Sequence, residues 1–551
     1  ITTSSFGSAS GTAGDIKIAA GNIYLSGQDS YIQSQSLANN VAGKISVSAN
    51  NLTILQDAAI TTDTRTSFNA GSIDVAVTGA LVIDGAGQTG SVTGITSDTV
   101  YDPPNNTVFV TGNAGNVTVN AGSITLKNSA QISSNANTFG NAGSVTVNAG
   151  SIVIDGLATS PDNFTGIASV ANNPTNDPNI ASRAGNVTIN AGTLAILRNG
   201  QIATDTYTNG DAGTISVNVG GALLIDGAGQ TTKTTGIFSD TFTGDGKAGT
   251  VNVSAGYGLL ANNSKIATET GAGGRGGDIV ATFATLDMNG GASISSASTG
   301  DATGNAGSVT VNSPGVITLY GAGTTIQSRA QGTGDAGPIL VTADQLILKE
   351  GAAVTTEAAV GGGGNITMHL DFLLYLLRSS ITTTVAGGTG SGGNIFIDPD
   401  FVVLNQSQIL ARAVGGNGGN IRIIAGQFLR SIDSVVDASS TLGISGQISI
   451  SSPDTDVISG TVNLPTGLGS EAKLDQRACV GPGETPVLSL VPVGRGGLLL
   501  LPDASQSEPS FMLAGREAMD LPAQQTAQHR TAALGQFAAL PMAASARNCA
   551  H

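Results

Sequence analysis

Tryptophan is absent, charged residues make up only 11% of the chain, and histidine occurs three times, as His369, His529 and His551. Each scarcity excludes something. So little charge, beside a steady supply of Val, Ile and Leu, rules out a disordered polyelectrolyte. Three histidines, two of them in a Pro- and Ala-rich tail, argue against acid–base catalysis based on His. The only cysteines are Cys479 and Cys549, so the region before them does not rely on disulfides. No apolar run approaches the roughly 18 residues that a membrane-spanning helix needs. The net charge is −16, which argues against nucleic acid as a partner and against an anionic membrane surface. No metal or cofactor motif is present. Gly361–Gly364 and Gly415–Gly419 lack the Lys-Ser/Thr of a phosphate loop, and Gly273–Val280 matches a calcium-repeat pattern only once.

What is abundant is glycine, 78 residues in 551, about twice the usual share. It recurs in a fixed place. A small residue, Gly and one variable residue precede an alternating apolar pair, as in Ala42-Gly43-Lys44-Ile45-Ser46-Val47 and Ala142-Gly143-Ser144-Val145-Thr146-Val147. About fifteen copies lie between Gly14 and Gly446, spaced by roughly 28 residues. Each period holds three strand-like pieces, for example Val117–Val119, Ile124–Leu126 and Ile132–Ser134. Apolar and polar residues alternate within them, and Gly, Asn and Asp separate them. The pattern predicts an all-β chain: a right-handed parallel β-helix, a three-faced solenoid of about fifteen coils on the order of 70 Å long. The shaft is expected over residues 1–460. An irregular C-terminal tail rich in Pro and Ala is expected over 461–551. The chain starts at Ile1, inside a repeat, and reads as a fragment or processed product whose targeting segment lies upstream.

Two features ride on the repeat. The third piece carries a hydroxyl two residues after its leading apolar residue: Ser34, Thr62, Ser134, Thr204, Thr268, Ser296 and Thr383. Period 2 points these inward, where each needs a hydrogen-bond partner in a neighbouring coil or the backbone. Towards the C-terminal end the same position turns apolar, at Ala411 and Ala438. The coils that begin at Gly71, Gly143 and Gly213 are enlarged. Each contains an Ile-Asp-Gly turn at Asp84, Asp155 or Asp226. The insertions should leave the rod from shared edges, two coils apart. Tyr101, Phe109, Phe164, Phe238 and Phe242 fall in these coils of an aromatic-poor chain. They are the candidate ligand-binding residues, with packing back onto the coils as the alternative. Asp84, Asp155 and Asp226 are the best carboxylate series for a polysaccharide lyase or hydrolase. An Asp-Gly turn, which Asp favours by bonding its own backbone, is the preferred account of them.

The repeats and the block that ends them resemble the filamentous-haemagglutinin-type exoproteins of two-partner secretion in Gram-negative bacteria. The block runs through Asn394-Ile395-Phe396-Ile397-Asp398-Pro399-Asp400-Phe401, Ser451-Ser452-Pro453-Asp454, Arg477-Ala478-Cys479 and Gly494-Arg495-Gly496-Gly497-Leu498. The resemblance implies export through an outer-membrane transporter that recognises an N-terminal domain not in this sequence. It also implies a place outside the cell or on its outer surface. The function expected from it is adhesion to glycans or proteins of host or neighbouring cells, without enzyme activity and without cofactors. A depolymerase on the same fold and a passive surface stalk are the alternatives. Some relatives close a C-terminal cysteine loop, which makes Cys479 and Cys549 a possible disulfide; two free thiols are the other possibility.

Overall fold

Alternating apolar and polar residues favour strands, and the computed structural model is all-β, with parallel strands wound into a solenoid of about fourteen turns. It describes residues 1–5, 11–37, 40–86, 92–100, 110–157, 164–173, 179–228, 233–271 and 273–452. The tail, Cys479, Cys549, Tyr101 and Phe109 lie outside the described residues. No helix occurs among those described.

Each turn contributes a long and a short strand. The three pieces of the repeat become two hydrogen-bonded elements, because the first two pieces run together in most turns. Ile45–Leu55 is one such strand of 11 residues. Ile45, Val47, Ala49, Leu52 and Ile54 point inward, and the alternation slips at Asn50 and Asn51, where the chain bends around a corner. Where the corner holds one more residue, as in Ile73–Asp84, the register shifts across it. Near the end of the rod the pieces separate again, as Ile395–Ile397 and Phe401–Asn405. The short strands stack into one sheet of fifteen. The inner residues of successive turns lie in register, so Val117, Val145 and Val187 form one column and Ile132 and Ile167 another. The core is a stack of such aliphatic columns, each member worth about 1.5–3 kcal/mol on burial. Phe372–Leu377 fills that core only through Leu374 and Leu376. Phe372 is exposed, with its ring edge-on to Phe401 at 5.3 Å, and Tyr375 sits outside under Lys349.

The recurring glycine is required by close approach. A Cβ on Gly143 would lie 2.3 Å from the carbonyl oxygen of Gly115, and one on Gly307 would lie 2.0 Å from that of Gly277. The column of these glycines therefore lets successive backbones touch directly. The inward hydroxyls work against it. All seven predicted ones are fully buried. Ser134 donates to Gly115 O at 2.9 Å and accepts from the N–H of Gly143 at 2.9 Å. Ser296 does the same between Gly277 and Gly307, at 2.9 and 2.8 Å. Thr204 and Thr268 donate to the carbonyls of Gly213 and Gly277. The ladder is thus mainly a clasp on the glycine backbone rather than a chain of hydroxyls. Where Ala411 and Ala438 replace the hydroxyl, both are buried.

The corner between long and short strands is tight in plain coils. Two successive residues take positive φ there, as at Asn128 and Ser129 (51° and 71°) and Asn262 and Asn263 (54° and 59°). Asn tolerates this conformation better than most residues. The enlarged coils replace this corner. Asp84, Asp155 and Asp226 accept the N–H two residues on, from Ala86, Leu157 and Ala228. Register places the three carboxylates on one edge, with Lys127 and Leu197 between them. Each insertion ends in Thr-Gly-Ile. The buried hydroxyls of Thr93, Thr165 and Thr235 accept the N–H of Asp57, Ser129 and Asn199 in the preceding plain coil, at 2.7–2.8 Å.

Replacing Ser134 with Ala should lower stability by about 1–2 kcal/mol, because Gly115 O and Gly143 N–H lose their partner in a buried place. Ser46, which points outward and is partly exposed, is the control; denaturant titration of the two Ala variants with equal midpoints would contradict the clasp.

Candidate functional site

The outer surface of the short-strand sheet carries the chemistry. Its outward positions hold a recurring unit in which an acid stands between two inward hydroxyls. The copies are Thr62-Asp63-Thr64, Ser97-Asp98-Thr99, Thr204-Asp205-Thr206, Ser239-Asp240-Thr241 and Thr268-Glu269-Thr270. Register brings Asp63 beside Asp98. It also brings Asp205, Asp240 and Glu269 into a run of three on neighbouring strands. Asp205 Oδ1 accepts the N–H of Asp240 at 3.3 Å, and Asp240 Oδ1 accepts the N–H of Glu269 at 2.7 Å. Lys265 Nζ lies 3.8 Å from Glu269.

Burial governs how these acids titrate. It pushes Asp63 up to about 6, against the opposing charge of Arg65 and a hydrogen bond from Gln35. It pushes Asp98 up to about 7, although Thr96 and Asn135 hydrogen-bond to its carboxyl. Asp205 rises to about 7, chiefly through burial and further through the charge of Glu269. Asp240, 6% exposed, is raised well above the usual carboxylate range by burial and by Asp205 and Glu269. Next to them, burial and the charges of Asp205 and Asp240 raise the Tyr207 phenol to about 12.

Beside the acids stand two aromatics. Tyr207 and Phe242, on successive turns, stack with centroids 4.5 Å apart and planes 12° apart. They are 39% and 44% exposed. Of the described aromatics singled out from sequence, Phe242 is therefore the accessible one. Phe238 is buried, its ring lying back along the strand over Gly236. Phe164 is half-buried, and its ring lies similarly over Gly166. Tyr207 and the acids were not singled out. Their signal was the acid recurring between hydroxyls, with an aromatic two residues on in Asp205-Thr206-Tyr207 and Asp240-Thr241-Phe242.

The Ile-Asp-Gly carboxylates do not converge. Asp155 is paired with Arg198, and Asp84 and Asp226 accept from the amides of Asn128 and Asn262. Asp278, in the calcium-like stretch, is taken by Arg275 and Ser308. Among the described residues no cluster of His, Cys, Asp or Glu is arranged to hold a metal. The chain matches no family model, no curated protein and no solved structure.

The buried acids predict a pH dependence of stability. Their folded pKa values lie above the unfolded value, so the folded state binds more protons. Their contribution is fullest below about pH 4 and is lost as pH rises through about 6–7. The melting temperature should fall from pH 5 to pH 8, and Asp98→Asn with Asp240→Asn should flatten that fall. Parallel melting profiles for the parent and the double variant would contradict it.

Proposed function

We propose that the chain is the shaft of an extracellular adhesin, a long regular rod that attaches to cell-surface glycans through its outer face. The observation that carries this reading is the exposed Tyr207–Phe242 stack beside the acidic run. It sits on a chain with no tryptophan and only 4% aromatic residues. Aromatic faces with a few polar groups are a common means of gripping a ligand. A solenoid also supplies reach, and repeated weak contacts along it add through effective concentration. Export by the two-partner route and display on a Gram-negative outer surface belong to the same reading and rest on the resemblance of the repeats and their terminal block.

Polysaccharide cleavage is the second reading. The raised Asp205 and Asp240 favour it, since a carboxyl that keeps its proton near neutrality is what a general acid needs. No His is found on these strands, and Lys265 is the base nearest the run in register.

Attachment is tested with the chain immobilised on beads and offered to cells and to a glycan array. Binding should drop when Tyr207 and Phe242 are both changed to Ser. Undiminished binding by that variant would remove the outer face from the account, and release of reducing ends or unsaturated products from a bound glycan would favour cleavage.

A further inference from the structure

The aromatic stack stops abruptly. Tyr207, Phe242 and Gly271 follow Thr206, Thr241 and Thr270, which pair across successive turns, so they occupy one outward column. Thr299 is next in it. Gly271 offers no side chain to continue the stack. A Cβ there would have only backbone atoms as its three nearest neighbours, with Phe242 O closest at 3.0 Å, a tight contact but looser than the roughly 2 Å at the recurring glycines. The ring of Phe242 therefore has Tyr207 on one face and, on the other, no side chain from the next position of its column. The opening is one turn deep, about 4.8 Å, close to the 4.5 Å that already separates the two rings. A third flat or ring-shaped group fits as the next layer.

Glu269 supplies the negative charge beside that opening. Glu269 stands two residues before Gly271 and so points to the same side of the strand. Its side chain is 32% exposed. Asp240 and Asp205 continue the run behind it, mostly covered and holding their protons near neutrality, and among the described residues Lys265, 3.8 Å from Glu269, is the cation paired with that carboxylate. An aromatic face flanked by a carboxylate attracts a cation from two directions, through the ring quadrupole and through Glu269. The same field, on a chain of net charge −16, repels sulfated or uronic-acid glycans.

We propose that Phe242, Gly271 and Glu269 form a subsite for an amino sugar, with the pyranose ring stacked on the open face of Phe242 and its ammonium group paired with Glu269. This rests on the glycan-attachment reading and names the chemistry of the glycan.

The test uses the full chain and four probes: a β-linked glucosamine oligomer, its N-acetylated counterpart, a sulfated glycan and an arginine-rich peptide. The glucosamine oligomer should bind, and acetylation, which removes the charge and keeps the ring, should weaken binding by about tenfold or more. Glu269→Gln should weaken it by a similar factor while the circular dichroism and melting temperature stay at the parent values, and Gly271→Gln, which fills the opening, should weaken it likewise with the circular dichroism unchanged. Equal binding of acetylated and free oligomers overturns the proposal, as does parent-like binding by both variants. Preferential binding of the arginine peptide, lost in the same variants, assigns the opening to a protein partner and also overturns it. Cells that still attach to a chain blind to glucosamine oligomers contradict the amino sugar alone; a chain that binds neither cells nor any glycan contradicts the attachment reading itself.

Discussion

Backbone meets backbone at the same recurring glycine in successive turns, and the rest of the rod is organised around that contact. The carbonyl of one glycine occupies the space where the Cβ of the next would stand. Only glycine allows this, which is why a glycine returns every 26–30 residues in plain coils while its neighbours change. The approach also brings a carbonyl and an N–H within reach of a short side chain. Ser134, Ser169 and Ser296 fill that role, each joining the glycine of its own turn to that of the next. A buried hydroxyl is tolerated because both its donor and its acceptor functions are met.

With register fixed at that corner, variation is free to collect elsewhere. The corner between long and short strands closes with two left-handed residues or opens into an insertion, and neither choice disturbs the stacked columns. Outward positions are equally free to vary. The column of Asp205, Asp240 and Glu269 and the column of Tyr207 and Phe242 exist because identical register turns a pattern along the chain into a line along the rod. Any side chain repeated at the same place in successive turns becomes a ladder with a rung about every 4.8 Å. That geometry suits an extended ligand, contacted many times, more than a small one held in a deep pocket.

Much of this was legible in the sequence. Gly43 and Gly143 set the period, and alternation in Val117-Thr118-Val119 gave the strands. The spacing of Ser134 from Ile132 gave the buried hydroxyl, and Asp155-Gly156 gave the turn. These are local patterns whose period survives in the fold. The misses have a common cause, which is that they depend on what lies in the next turn. Alternation alone does not reveal that Ile45–Val47 and Leu52–Ile54 run on as one strand, because the bend at Asn50 and Asn51 is set by pairing with adjacent turns. Alternation along the strand turns Asp98 and Asp240 outward, but it does not reveal that they are buried there, which raises their pKa values. Tyr207 gains significance only when Phe242, 35 residues later, is laid on top of it.

Amide hydrogen exchange tests the central contact most directly. The N–H groups of Gly43, Gly143, Gly185 and Gly307 each donate to a buried hydroxyl at 2.7–2.9 Å. They lie outside the strands, in segments that composition alone would read as loops. If the glycine clasp holds the turns together, these amides should exchange as slowly as the strand amides of Val117–Val119 and Val145–Val147. Exchange at the rate of exposed loops, while those strands stay protected, would contradict it.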